Sequence, residues 1–256
     1  MRKMLQGRLS VFKFESFKKY KNIAHFVTTK EGWLGNKPRF TGDSEDIYAG
    51  FRKELAISCE LDPGQFVFPR QTHSDRIAVV TAENFTNTIE DTDALITNEP
   101  GIFICVQTAD CVPILLFDPV KRVVAAIHAG WKGTISKIAK KTVRQMTETF
   151  GSNPKDIVAG IGPSIHIHAY EVGPEVVAAV ESSFSNFPAL LKPSMNDGRA
   201  YFDLWEANQT VLMESGIQEE NIELMGLCSF EQADLFYSAR RDGTDTGRMV
   251  SGIKLC

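Results

Sequence analysis

The chain has 256 residues, 43% of them hydrophobic and 23% charged, a composition that fits a folded globular chain and excludes a disordered, collagenous or fibrous one. Its 28 basic and 32 acidic residues leave a net charge of −4 with no long run of like charge, so a general nucleic-acid-binding surface is not indicated. No apolar stretch reaches the roughly 18 residues of a membrane span, and the N-terminus MRKMLQGRLSVFKF lacks the apolar segment and cleavage site of a signal peptide. The five cysteines (Cys59, Cys105, Cys111, Cys228, Cys256) are odd in number and scattered, unlike a disulfide framework. We therefore expect a cytoplasmic protein with no membrane or nucleic-acid partner.

Neither a fixed-period repeat nor a linker-like segment interrupts the chain, which argues for a single domain over residues 1–256 with residues 1–22 peripheral. In chain order, the pattern predicts a strand over 24–29 and a loop with Gly32, Gly35, Pro38 and Gly42. A helix follows, opening at Asp43 or Ser44, with Glu45 and Asp46 in its first turn and Ile47, Phe51 and Leu55 on one face. Short β-rich runs are expected at 66–68, 77–81, 94–97, 102–106, 112–117 and 123–127, several without polar alternation, as in strands covered on both faces. A helix over 134–150 buries Ile135, Ile138, Val143 and Met146 and stops at Gly151. Next come a strand over 157–161, a helix over 174–184, and a helix that opens with an Asp203/Glu206 capping pair and ends near Gly216. Strands at 222–227 and 249–255 close the chain. Interspersed strands and helices define an α/β fold, with a mixed β-sheet and helices on both faces.

Chemistry concentrates in three segments, RQTHSDRI, QTADCVPILLFD and AAIHAGWKGT. Each places a metal-ligating side chain at a strand junction: His73, Cys111 and His128. They are too far apart for a zinc finger or ribbon, so any shared site must be assembled by the fold. Two imidazoles and a thiolate would give Zn²⁺ three protein ligands and leave a fourth position open, the arrangement of a catalytic site. The same residues also permit Cys111 as a nucleophile with His128 or His73 as its base. They equally permit purely structural roles, with the histidines satisfying strand-end backbone groups and Cys111 packed as a small hydrophobe.

Asp110 is a candidate acid/base or orienting group, or else a turn cap. Gly130 and Gly133 in HAGWKGT could offer backbone amides to a phosphate. His166 and His168 share one face if their segment is extended. Arg240, Arg241 and Arg248, among turn-forming residues in SARRDGTDTGR, suit bidentate phosphate or carboxylate binding, and Lys30 and Gln71 are further candidate substrate contacts.

Taken together, RQTHSD, DALIT, QTADCVPILLFD, AAIHAGWKGT, GIGPSI, YEVG, FDLWEANQ, Cys228 and SARRDG with TGR resemble the laccase-domain family, also called the polyphenol oxidoreductase or purine nucleoside phosphorylase family. The similarity runs in matching order from Val27 to Leu255. It implies a single α/β domain with zinc held by His73, Cys111 and His128. It also implies phosphorolysis of adenosine, inosine and methylthioadenosine, adenosine deamination, and a nucleoside and phosphate as partners. Two departures stand out: Lys30 where the family usually has arginine, and His168 where cysteine is common. The deaminase signature H-x-E…P-C-x-x-C is absent. Five histidines are too few for the copper centres of a multicopper oxidase, so copper is discounted in favour of zinc. A second expectation is a Cys–His amide hydrolase acting on a peptidoglycan precursor, and a third is a metal- or partner-binding protein without activity.

Overall fold

A strand that is apolar at successive positions must be covered on both faces, and this chain meets that demand by stacking layers. The computed structural model describes residues 3–42 and 45–256. The elements run β1 (Lys3–Gln6), β2 (Leu9–Phe12), β3 (Ile23–Thr28), α1 (Glu45–Ser58), β4 (Phe66–Val67), β5 (Ile77–Val79), β6 (Ala94–Thr97), β7 (Phe103–Thr108), β8 (Val112–Asp118) and β9 (Val123–Ala129). After them come α2 (Trp131–Ile135), α3 (Ile138–Phe150), β10 (Val158–Ile161), β11 (Glu171–Val172), α4 (Pro174–Ser183) and α5 (Phe187–Leu190). The chain ends with β12 (Leu191–Pro193), β13 (Ala200–Phe202), α6 (Leu204–Glu214), β14 (Ile222–Leu224), α7 (Ala239–Asp242) and β15 (Met249–Leu255).

The protein is α/β, but the expected single sheet is two. One six-stranded sheet has the order β1-β2-β3-β15-β7-β4, the other β14-β10-β8-β9-β6-β5, and β11-β13-β12 forms a small third sheet. Both large sheets are mixed: β4 runs parallel to β7, β5 to β6 and β10 to β14, among otherwise antiparallel pairs. The sheets face one another through a shared core in which Leu115, Phe117, Val124 and Ala126 from one meet Val27, Ile104, Val106 and Ile253 from the other. Alternate residues of β8 and β9 (Ile114, Leu116, Ala125, Ile127) point the opposite way, onto Val143 and Met146 of α3 and Leu204, Val211 and Leu212 of α6. The outer face of the other sheet, with Val11, Phe26 and Phe103, packs on Leu55 of α1 and on Phe40. The helices therefore cover the outer faces of a two-sheet sandwich. Each large side chain buried this way contributes about 1.5–3 kcal/mol of transfer free energy.

Three further expectations differ from what the fold shows. Residues 1–22 are not peripheral where described: β2 pairs with β3, and Phe14 and Phe17 are buried in the core between the sheets. The helix expected over 134–150 is two, α2 and α3, broken at Lys137, which adopts a left-handed backbone with φ 57°. His166 and His168 do not lie on an extended face: His166 opens a tight 3-10 turn and His168 lies within it, with ring centroids 4.7 Å apart and His166 against Trp205. Other expectations agree with the structure. Gly151 closes α3 in a left-handed conformation with φ 69°, and the Asp203 carboxylate accepts hydrogen bonds from Trp205 N and Glu206 N at the start of α6. Asp43 and Ser44, proposed to open α1, lie outside the described residues.

Candidate metal centre

Strand direction explains why three residues distant in sequence meet. β8 and β9 are antiparallel with Pro113 opposite His128, so Cys111, just before β8, reaches the rim where β9 ends. β6 is antiparallel to β9 with Ala94 opposite Ile127, which brings Asp93 to the same rim. β5 is parallel to β6, so the segment preceding it, with His73, opens there too. The link from β7 to β8 passes from one sheet to the other through Ala109, Asp110 and Cys111. In the facing sheet Met249 pairs with Thr108, placing Arg248 beside that link. Polar chemistry gathers at this rim, where β6 and β8 open and β9 ends, whereas the middles of β8 and β9 are apolar.

The ligand atoms of His73, Cys111 and His128 all lie within 4.8 Å of one another. Cys111 Sγ is 3.7 Å from His73 Nε2. Metal–ligand distances of about 2.0–2.1 Å for imidazole and 2.3 Å for thiolate, at tetrahedral angles, put nitrogen and sulfur about 3.6 Å apart, so the donor set fits a metal such as zinc. The two imidazole rings meet edge to face with centroids 4.9 Å apart. Gly130 is what permits the approach: a Cβ there would stand 2.9 Å from Cys111 Sγ and 3.0 Å from His73 Cδ2. The glycine thus serves close packing of the ligands.

Behind the ligands sits Asp93, fully buried, which the sequence reading did not single out. Its Oδ1 accepts from His128 Nδ1 at 2.7 Å and from His73 N at 3.1 Å. Its Oδ2 accepts from Ser74 N at 2.7 Å, Ser74 Oγ at 2.8 Å and Thr72 N at 3.3 Å. A proton fixed on Nδ1 makes Nε2 the nitrogen that His128 turns to the site, where a metal would take the place of its proton. The same bonds hold His73 in its left-handed conformation, with φ 62°. Burial opposes the Asp93 carboxylate, but the His128 hydrogen bond and charge and the Ser74 bonds outweigh it and hold the acid below the usual carboxylate range. Burial likewise opposes the Cys111 thiolate, yet the charge and hydrogen bonds of His128 and His73 bring the thiol down to about 6. Against the same burial, the Cys111 thiolate and Asp93 push His128 up to about 9. A thiolate ready to bind metal follows.

The remaining candidates divide. Asp110 is buried at the site, but both its oxygens are engaged: Oδ1 accepts from Ser229 Oγ at 2.6 Å and Oδ2 from Arg240 N at 2.8 Å, so the carboxylate anchors the start of α7. Arg240 reaches a cavity of about 290 Å³ that it lines with His73, Asp110, Cys111 and Tyr170. Its guanidinium lies 5.1 Å from the centroid of the Tyr170 ring and donates to Glu171 O at 3.0 Å. Burial and the Cys111 charge push the Tyr170 hydroxyl up, keeping it protonated. Arg241 does not enter the site: it donates to Ser229 O, Phe230 O and Phe236 O and pairs with Asp242. Lys30 is equally remote, with its ammonium on Ala233 O. Gln71 lines a second cavity of about 170 Å³ with His73, Cys111 and His128, but its amide is paired with Gln107 N and O, each at 2.8 Å. Sequence reasoning passed over Arg39, which lines that second cavity with Arg248.

An α/β sandwich with an open His–Cys–His group at the rim of its sheets defines the class. The chain belongs to the family described as multi-copper polyphenol oxidoreductase laccase, whose model matches residues 34–256. It is 36% identical over 256 residues to a purine nucleoside phosphorylase of Bacteroides thetaiotaomicron, covering 94% of this chain and 95% of that one. It is 37% identical over 257 residues to adenosine deaminase RL5 from an unknown prokaryotic organism, covering 94% and 97% of the two chains. The crystal structure of a hypothetical protein YfiH from Bacillus licheniformis superposes with a TM-score of 0.88 at 32% identity, covering 98% of this chain and 97% of that one. Among the described residues, no helix is long and apolar enough to cross a membrane.

Proposed function

We propose that the protein is a zinc-dependent purine nucleoside phosphorylase acting on adenosine, inosine and methylthioadenosine, with adenosine deamination as a second reaction at the same centre. The observation that carries this reading is the convergence of His73, Cys111 and His128 at a rim flanked by two cavities. The names of the relatives agree with it. Zinc, when bound by these three residues, supplies Lewis acidity at an open coordination position. The chain's own residues do the rest. Asp93 fixes the His128 proton on Nδ1, Gly130 lets the ligands close up, and Tyr170 and Arg240 wall the larger cavity, which we assign to the nucleoside. In phosphorolysis a phosphate oxygen bonds to the sugar carbon as its bond to the purine nitrogen breaks; the electron pair leaves with the base, which takes up a proton. We place the enzyme in the cytoplasm, in keeping with its five free cysteines.

The test is chromatographic. Zinc-loaded protein incubated with adenosine should release adenine only when phosphate is present, and inosine with or without it. Absence of both products would end the nucleoside reading. One observation favours a second reading: the Asp93–His128–Cys111 chain, with its lowered thiol, has the makings of a nucleophile, base and orienting acid for hydrolysing an amide, such as one in a peptidoglycan precursor. That activity would appear in metal-free protein and be blocked by zinc.

A further inference from the structure

The smaller cavity beside the metal ligands has an unusual wall. Arg39 and Arg248 come from opposite ends of the chain, yet their guanidinium groups are held by the same two carbonyl oxygens. Thr244 O accepts from Arg39 Nη2 at 2.7 Å and from Arg248 Nη2 at 3.1 Å. Thr246 O accepts from Arg39 Nη2 at 3.3 Å and from Arg248 Nη1 at 2.8 Å. Arg248 Nη1 also reaches Gly247 O at 3.0 Å. Sharing two acceptors forces the two cations side by side, and like charges so placed repel unless an anion joins them. Among the described residues, the Cys111, Asp110 and Asp245 charges act on Arg248, and Arg39 has its ion pair with Asp245. Asp245 lies 3.6 Å from Arg39, is 87% exposed, and is also bonded to Lys37 at 2.8 Å.

Among the described residues, Arg39 turns only Nη2 toward protein acceptors, leaving Nε and Nη1 as donors, and the Nε of Arg248 is likewise uncommitted. Both arginines line the cavity of about 170 Å³ whose other walls include Thr41, His73, Cys111 and His128. Thr41 Oγ1 accepts from Gln107 Nε2 at 2.6 Å, so its own hydroxyl proton is free to donate. A small cavity with two guanidinium groups and a hydroxyl, opening on the metal ligands, matches a tetrahedral oxyanion.

We propose that Arg39 and Arg248, with Thr41, form the phosphate subsite of the enzyme, adjoining the metal centre and separate from the Tyr170–Arg240 cavity. The proposal rests on the phosphorylase reading for its choice of phosphate as the anion, whereas the anion site itself stands on the arginine geometry. Arg241 and Lys30, the other basic candidates, are consumed by backbone carbonyls and lie away from this cavity.

The test measures inorganic phosphate binding to the zinc-loaded protein by calorimetry, without nucleoside, alongside the KM for phosphate. Arg248→Gln and Arg39→Gln should each weaken phosphate binding about tenfold or more, since each removes a charge-assisted donor. Arg→Lys variants should recover part of the loss, which separates lost charge from a loosened 244–247 loop. Asp245→Asn lies on the surface and removes a competing counter-charge, so phosphate binding should tighten. Unchanged phosphate affinity in both Arg→Gln variants, or weaker binding in Asp245→Asn, would overturn the subsite. A wild-type protein that binds phosphate through these arginines yet releases no base would sink the phosphorylase reading and leave the anion site standing. Release of base with phosphate KM unmoved in the variants would do the reverse.

Discussion

Replacing Asp93 by asparagine changes one oxygen to an amide nitrogen, and the structure has no place for that nitrogen. Five donors converge on the carboxylate: Thr72 N, His73 N, Ser74 N, Ser74 Oγ and His128 Nδ1. If the NH₂ takes the position of Oδ1, His128 can keep a hydrogen bond only by shifting its proton to Nε2, which removes the lone pair the metal needs. If it takes the position of Oδ2, it meets Ser74 N and Thr72 N donor to donor. Either choice leaves a buried donor unpaired, at a cost of about 1–3 kcal/mol. Disturbing the partner of a ligating histidine typically costs about 10–100-fold in metal affinity. Asp93→Asn should therefore lose at least tenfold in zinc affinity, measured by competition with a chromophoric chelator. The metal-free protein should also be less stable to heat. The sign of its pH dependence follows from the lowered acid: folded below its unfolded pKa, Asp93 contributes stability above the usual carboxylate range and loses it as pH falls. The stability gap between wild type and variant should close in acid. Zinc affinity within about threefold of wild type would refute the argument that Asp93 sets the His128 tautomer.

Alkylation of Cys111 in metal-free protein, followed by peptide mass spectrometry, should rise with a midpoint near pH 6, where its thiol titrates, and zinc should suppress it. Cys59, pushed up to about 11 by burial, should stay inert across that range. Gly130→Ala places a methyl against both Cys111 and His73 at a backbone φ of −72° that any residue tolerates, so zinc affinity should fall while the metal-free melting temperature holds within a few degrees. His25, buried between Phe14 and Phe17 and accepting Phe14 N at 2.9 Å, is pushed down to about 3 by burial and by the Lys13 charge. Its folded pKa lies below the unfolded value, so metal-free stability should drop by up to about 1.4 kcal/mol per pH unit as pH falls from about 6.5 toward 3. Denaturant titrations should find that slope flattened in His25→Gln, which retains an acceptor for Phe14 N.

Rarity and position made the metal ligands candidates: with five histidines in the chain, His73 and His128 at strand junctions stood out beside Cys111, but a metal, a nucleophilic and a structural role stayed open until the family resemblance pointed to a shared zinc site. Strands β8 and β9 were legible for the same reason that their sheet was not. Being apolar on both faces, they announce burial but do not say whether a helix or a second sheet covers each side. The division into two sheets rests on pairings such as β15 with β3 and β7, which unite the two ends of the chain with its middle. Asp93 opens the DALIT motif that carries the family resemblance, but a lone aspartate ahead of a strand shows no role of its own; only the fold reveals five donors aimed at it. Arg39 stood in a Gly- and Pro-containing loop whose partner, the Thr244–Thr246 segment, lies near the other end of the sequence. Arg241 looked equivalent to Arg240, since a turn gives no phase from which to tell an inward guanidinium from a structural one.

The two cavities share His73, Ala109 and Cys111 as a common wall, and their other walls differ in chemistry. On one side, Tyr170 and Arg240 offer a ring, a protonated hydroxyl and a stacked guanidinium, a surface suited to a flat base and a sugar. On the other, Arg39 and Arg248 offer concentrated positive charge. In the phosphorolysis proposed above, a displacement at the sugar carbon needs its nucleophile and its leaving base held apart, and on that reading this division of the rim gives each a place. The separation can be read kinetically. Arg240→Ala removes the stacked cation from the Tyr170 ring without touching the paired arginines, so the KM for nucleoside should rise severalfold with the KM for phosphate unmoved. An equal rise in both would mean that the wall between the cavities does not divide the substrates.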